Sequence, residues 1–275
     1  MAADAERARV GEVVGIVPAA GRGTRLTGRW GSKEILPVGF DEVDGIRRPR
    51  PIATYLLEAM ALAGVARAWI VLRPGKEDVP ATLGEGGGRV PPLSYLTIEP
   101  TSSVPETVDG VLPAVGGAEV VFGFPDILFE PRDLLARLVE HRRATGADLA
   151  LGLFPTDRPE KADLVELDPA GRIRRVLVKP GAAAGGLRLT WILAAWTPVF
   201  SRFLHGFLDR RRALVHDPGS DTDRAHELYM SDVIQAGVAA ELRVEVLSFP
   251  ASFYLDVGTP DDLARALGRH EHCWP

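Results

Sequence analysis

The sequence predicts an α/β fold: a Rossmann-like, mostly parallel sheet with helices on both faces and a small β-rich insertion. Three observations carry this. Short apolar runs of strand length alternate with helical patterns through the first half, the order that builds βαβ units. The first of them, Val13-Val14-Gly15-Ile16-Val17, is apolar throughout, as strands covered on both faces are. In the second half, two short runs flanking a turn interrupt the alternation.

In chain order, strands are expected over 13–18, 67–73, 93–98, 118–123 and 147–154, with helices over 51–63, 75–84, 104–115 and 131–144. Pro131 ahead of Asp133-Leu134-Leu135 marks a helix start with acidic charge in its first turn. The run Asp163 to Leu167, the turn Asp168-Pro169-Ala170-Gly171, and the run Ile173 to Val178 form an expected hairpin. Strands then follow over 188–197, 242–248 and 252–256, and helices over 198–209, 224–238 and 260–268. The polar segment 210–223 and the glycine-rich stretches 84–88 and 181–186 are expected loops. With no internal repeat and no dividing linker, residues 1–275 are expected to form one domain.

Bulk composition narrows the function. The chain is 46% hydrophobic and 25% charged, the balance of an ordinary soluble globular protein. A net charge of −5 argues against broad attraction to nucleic acid or an anionic membrane. No run of 18 apolar residues and no signal-peptide pattern is present, and the lone Cys273 permits no internal disulfide. Cytoplasm is the expected location. Only four of the 32 basic residues are lysines: Lys33, Lys76, Lys161 and Lys179. In so arginine-biased a chain, a retained lysine marks a place where a compact ammonium is needed and a planar guanidinium is not. Lys76 and Lys161 sit in surface-like polar segments; Lys33 and Lys179 adjoin motifs.

The most informative stretch opens where the first strand ends. Pro18-Ala19-Ala20-Gly21-Arg22-Gly23-Thr24-Arg25-Leu26 is rich in glycine and cation, and Lys33-Glu34-Ile35-Leu36-Pro37-Val38 follows. Small residues let backbone N–H groups approach phosphate oxygens while Arg22, Arg25 and Lys33 supply charge. The plainer alternative is a tight strand-to-helix turn with arginines in water. Neither common phosphate loop fits: no G-x-x-x-x-G-K-[ST] occurs, and Leu26 stands where G-x-G-x-x-G needs its third glycine. Two aspartates complete the constellation. Asp126 follows the run Val120 to Pro125, and Asp256 ends Ser252 to Leu255, each at a strand-to-turn junction. Two carboxylates beside a phosphate loop suit Mg²⁺, which takes phosphate oxygens and waters for the rest of its octahedron. Each alone would suit a helix cap or turn equally well.

These residues resemble a known family. The loop from Gly21 to Leu26, Lys33-Glu34-Ile35-Leu36-Pro37-Val38, Pro125-Asp126-Ile127-Leu128-Phe129, Val178-Lys179-Pro180, Glu227 to Asp232 and Tyr254-Leu255-Asp256-Val257-Gly258-Thr259 are similar, in order, to motifs of the sugar-1-phosphate nucleotidylyltransferases. The short glucose-1-phosphate thymidylyl- and uridylyltransferases are the nearest subgroup. The resemblance implies a GT-A-like nucleotidyltransferase architecture, with a nucleotide-binding half over about 13–145 and a sugar-phosphate-binding half over about 146–268. It implies Mg²⁺ at Asp126 and Asp256, and a nucleoside triphosphate (UTP or dTTP) held by Ala20, Gly21, Arg22, Gly23, Thr24, Arg25 and Glu99. A sugar phosphate is implied at Lys33, Lys179 and Trp191, with Arg25, Lys33, Asp126, Lys179 and Asp256 as the catalytic set and a homo-oligomer as a common assembly.

The departures fall on the substrate-recognition side, where the base-reading segment, usually rich in glycine and small residues, reads Glu99-Pro100-Thr101-Ser102-Ser103-Val104-Pro105-Glu106-Thr107. Val178 replaces the glutamate that the family directs at sugar hydroxyls, and Trp191-Ile192-Leu193-Ala194 replaces a glycine-containing strand. Glu34 replaces the glutamine usual in thymidylyltransferases and matches the uridylyl branch. A non-catalytic relative that binds nucleotide or nucleotide-sugar is therefore the rival expectation. Other features point elsewhere or nowhere: His270-x-His272-Cys273 reads as a chain tail, Arg210-Arg211-Arg212 as a solvated helix end, and Trp69 and Trp191 as core or pocket walls.

Overall fold

The computed structural model describes residues 11–21, 23, 26, 31–215 and 227–270. In order, the chain forms β1 (Val13–Pro18), a hairpin of β2 (Pro37–Val43) and β3 (Ile46–Pro51), α1 (Ala53–Leu62), β4 (Arg67–Leu72), α2 (Asp78–Leu83), β5 (Gly86–Gly87), β6 (Val90–Thr97), α3 (Val104–Val115), β7 (Glu119–Gly123), β8 (Ile127–Glu130), α4 (Leu134–Thr145) and β9 (Leu149–Pro155). A second hairpin of β10 (Leu164–Leu167) and β11 (Ile173–Leu177) precedes β12 (Leu189–Trp196), α5 (Pro198–Val215), α6 (Met230–Ala239), β13 (Val244–Ser248), β14 (Phe253–Asp256) and α7 (Pro260–His270). Short 3₁₀ turns occupy Lys33–Ile35 and Gly181–Ala184.

Seven strands of the main sheet lie side by side as β13-β9-β12-β7-β1-β4-β6. Only β12 runs against its neighbours; the other pairings are parallel. Alternation with period two sends side chains to two separate cores. Val13 and Val17 of β1, Ala68, Ile70 and Leu72 of β4, and Ala150 and Phe154 of β9 meet α1 and α4 on one face. Val14 and Ile16, Trp69 and Val71, and Leu149, Leu151 and Leu153 meet α3, α5 and α6 on the other. Two glycines let α1 close down on the sheet. A Cβ on Gly15 would lie 2.6 Å from Met60 Sδ, and one on Gly123 would lie 2.6 Å from Leu56 Cδ1.

The strand order reverses beside β1. The chain moves outward through β4 and β6, then returns by α3 to β7 on the other side of β1. Loops leaving β1 and β7 therefore diverge and leave a crevice at the carboxyl edge, where open α/β sheets bind ligands. The β10–β11 hairpin joins the same sheet at one point, Leu164 opposite Thr190 of β12. A third core of Val38, Ile52, Leu128, Leu255, Val257 and Ala266 fastens β2, the β8–β14 ribbon and α7 together.

Several elements differ from expectation. The β2–β3 and β8 strands were not foreseen: β2–β3 forms its own two-stranded sheet, and four-residue β8 finds its partner in distant β14. Helix α5 continues through Arg210, Arg211 and Arg212 to Val215 instead of ending at 209. Arg212 pairs with Asp209 one turn back and with Asp109 of α3, and these contacts hold the extra turns. Residues 216–226 lie outside the described residues, and α6 begins at Met230.

Candidate functional site

The loop after β1 is pinned at both ends. Ala19 N–H donates to the Val71 carbonyl at 2.9 Å, fixing its start to β4. At its end, the Ser32 N–H and hydroxyl donate to the two carboxylate oxygens of Asp78, at 2.7 and 2.8 Å. Ala20, Gly21 and Gly23 lie in this loop; Arg22, Thr24 and Arg25 lie outside the described residues. Directly after Ser32, the 3₁₀ turn aims Lys33 at Asp126, whose carboxylate accepts from the Lys33 ammonium in a close ion pair. Asp126 follows β7 and is buried.

Strand pairing brings the second aspartate alongside. Asp256 stands opposite Ile127 in the β8–β14 ribbon, and the Val257 N–H donates to the Asp126 carbonyl at 2.9 Å. Burial pulls the Lys33 ammonium down, but the charge and hydrogen bond of Asp126, with the charges of Glu34 and Asp256, turn the net shift upward. Lys33 therefore stays protonated. Asp126, Asp256 and Lys33 share one electrostatic neighbourhood at the carboxyl edge.

Behind them lies a buried ion pair. Lys76 donates to both Glu34 oxygens, at 2.8 and 2.7 Å, with Lys76 only 3% and Glu34 1% exposed. Burial pushes the Glu34 carboxyl up and pulls the Lys76 ammonium down, each against its partner's attraction. The expectation that Lys76 is a surface residue is thus corrected. Its segment is polar because it turns inward to meet a buried carboxylate. Scarcity of lysine was the signal that could have found it.

The residues expected on the acceptor side gather around the hairpin. Lys179 is exposed, and its ammonium rests 4.1 Å from the centroid of the Tyr229 ring. Its backbone is left-handed (φ +36°), and its N–H donates to Asp163 Oδ1 at 3.2 Å. The Ser231 hydroxyl donates to Asp163 Oδ2 at 2.5 Å and accepts from Trp191 Nε1 at 2.8 Å. Trp191 is buried against Phe122 and Phe124 with its indole N–H already engaged, so it underlies this side as packing. Phe124 leads through Pro125 to Asp126, which links the two sides by packed rings. Glu99 is exposed in the segment between β6 and α3. Of the remaining candidates, Trp69 is core, and His272 and Cys273 lie outside the described residues.

Among the described residues no group of three or more His, Cys, Asp or Glu is arranged to hold a metal ion. The buried Asp126 and its exposed neighbour Asp256 are a donor set of two carboxylates, which fits a hard cation that shares its shell with phosphate oxygens and water. No helix among those residues is long and apolar enough to cross a membrane.

Comparison with known proteins gives the fold. One solved structure, of a protein described as a glucose-1-phosphate thymidylyltransferase from Bacillus anthracis in complex with sucrose, superposes with a TM-score of 0.73 at 17% identity, covering 96% of this chain and 97% of that one. Another, of a UDP-glucose pyrophosphorylase complexed with UDP-glucose, gives 0.72 at 14% identity, covering 96% and 99%. No protein-family model and no curated protein matches the chain. The chain has the mostly parallel α/β fold of these sugar nucleotidylyltransferases.

Proposed function

We propose that this chain transfers a nucleotidyl group from a nucleoside triphosphate, UTP or dTTP, to a sugar 1-phosphate, releasing pyrophosphate, with Mg²⁺ as cofactor. The observation that carries the reading is the meeting of Lys33, Asp126 and Asp256 at the carboxyl edge, beside a loop pinned by Asp78. The shared fold supports it.

A phosphate oxygen of the acceptor attacks the α-phosphorus and the bond to the β-phosphate bridging oxygen breaks, its electron pair leaving with pyrophosphate. The acceptor is already anionic, so no general base is needed and catalysis reduces to alignment and charge neutralisation. Amides at Ala20, Gly21 and Gly23 hold the triphosphate, and Arg25 neutralises the leaving group. Lys33 holds its proton and orients the reacting phosphates, while Lys179 receives the acceptor phosphate. Mg²⁺, held by Asp126 and Asp256, would supply further charge neutralisation at the triphosphate.

The test is pyrophosphate release across the common nucleoside triphosphates crossed with a panel of sugar phosphates. Turnover with UTP or dTTP and at least one sugar 1-phosphate is expected. Silence across the panel with nucleotide binding intact would instead identify a non-catalytic nucleotide-binding protein.

A further inference from the structure

Asp163 is a half-buried carboxylate held by two hydrogen bonds. Among the described residues no lysine, arginine or histidine forms an ion pair with it, although burial pushes its carboxyl above the usual range. Lys179 is close enough to oppose that shift, yet its ammonium lies over Tyr229 instead. A half-buried, unpaired carboxylate is unfavourable unless something else uses it. Two donors hold it in place, the Lys179 N–H and the Ser231 hydroxyl, and Ser231 is itself fixed by Trp191. Each carboxylate oxygen retains capacity for another donor. The backbone it grips is that of Lys179, whose left-handed φ ahead of Pro180 is strained for a residue with a side chain.

We propose, resting on the transfer reading above, that the Asp163 carboxylate recognises the acceptor by accepting a hydrogen bond from a hydroxyl or ammonium group on the molecule whose phosphate Lys179 receives. Register makes the position specific. Leu164 pairs with Leu177 at the ends of β10 and β11, and continuing that register one step past the strand ends sets Asp163 against Val178. Residues directly opposite in an antiparallel pair project from the same face. A carboxylate at either position would reach the same side of the hairpin, next to Lys179.

The test is titration of glucose 1-phosphate and glucosamine 1-phosphate into the full chain, with Mg²⁺ and a non-hydrolysable UTP analogue present. Asp163→Asn keeps an oxygen for the Lys179 N–H, so the fold should hold while acceptor affinity falls about tenfold or more, with affinity for the UTP analogue unchanged. If the partner is an ammonium, glucosamine 1-phosphate binds the wild type more tightly and loses that advantage in the variant; if it is a hydroxyl, both compounds weaken together. Adding Val178→Glu to Asp163→Asn should recover part of the loss, which a role confined to anchoring the Lys179 backbone would not allow. Unchanged acceptor affinity in Asp163→Asn, or a loss that Val178→Glu leaves untouched, overturns the proposal. A wild-type chain that binds neither compound overturns it as well. Binding without pyrophosphate release from UTP would take down the transfer reading and leave Asp163 to be judged by affinity alone.

Discussion

The Glu34–Lys76 pair is a costly polar feature at the residue scale, because both charges are almost fully out of water. Removing one partner strands the other, so Lys76→Met should destabilise the chain by about 3–5 kcal/mol. Removing both, in Glu34→Leu/Lys76→Met, should cost far less than the sum of the single changes, since no buried charge is left over. Urea unfolding of the four chains measures this, and simple additivity would mean the two charges are not coupled. Asp126 and Asp256 are different, since neither is needed for core packing. Asp126→Asn and Asp256→Asn should each keep the melting temperature within a few degrees while cutting turnover at least about 100-fold. Near-normal activity in Mg²⁺ would remove that residue from the proposed metal set. Lys179→Arg should lower kcat/KM for the acceptor and leave the nucleotide KM alone, because a planar guanidinium does not reproduce a point charge; full activity would sink the inference from lysine scarcity. That scarcity marked Lys33 and Lys179 but was discounted at Lys76, since a polar segment turned inward is indistinguishable in sequence from one facing water.

Among the elements, α3 and α5 are clamped by one carboxylate. Asp109 accepts from His205 Nδ1 at 2.8 Å and from Arg212 at 3.0 Å. The hydrogen bond and charge of Asp109 raise the His205 pKa above the usual 6.5, with Asp209 adding to the shift. A histidine raised in the folded state binds its proton more tightly there than in the unfolded chain. Its stabilising contribution is therefore complete below pH 6.5 and is lost as pH rises through the folded value. The imidazole is largely exposed, so the effect on melting temperature should be small, and an NMR titration of His205 is the sharper probe. Asp109→Asn should bring the midpoint down toward 6.5, and an unmoved midpoint would exclude the contact. The same contacts explain why α5 outran its expected end: a triple-arginine run looks like a solvated terminus until its carboxylate partners are known. Elements with local signals were legible, as at β1, β4, α3 and the β10–β11 hairpin. Those fixed by distant partners were not. Pro49 and Pro51 argue against a strand in β3, which is nonetheless tolerated in a two-stranded ribbon, and β8 is only four residues that depend on β14.

At the scale of the whole molecule, the two halves suggested by sequence are stitched through two strand pairings, β7 with β12 and β8 with β14. β12 pairs with β7 through Leu193 to Trp196 and with β9 along its full length, while Thr190 receives the second hairpin. Strand and helix alternation made the sheet class legible, yet the reversal at β12 could not be seen, because an apolar run carries no sign of its direction. Its consequence is energetic. Phe122 of β7 packs its ring 5.7 Å from Trp196 and 6.3 Å from Trp191, both supplied by the second half. A fragment ending at residue 145 would leave an open strand edge on β7 and expose Phe122 and Val120, which are buried in the intact chain. The chain should therefore unfold as one unit, with far-UV circular dichroism and tryptophan fluorescence giving coincident denaturant curves. Trp69 reports on the first half and Trp191 and Trp196 on the second, so the fluorescence samples both sides of the seam. The fragment alone should show no cooperative transition. Two separated transitions in the intact chain, or a cooperatively folded fragment, would mean that the halves are independent domains meeting at a seam.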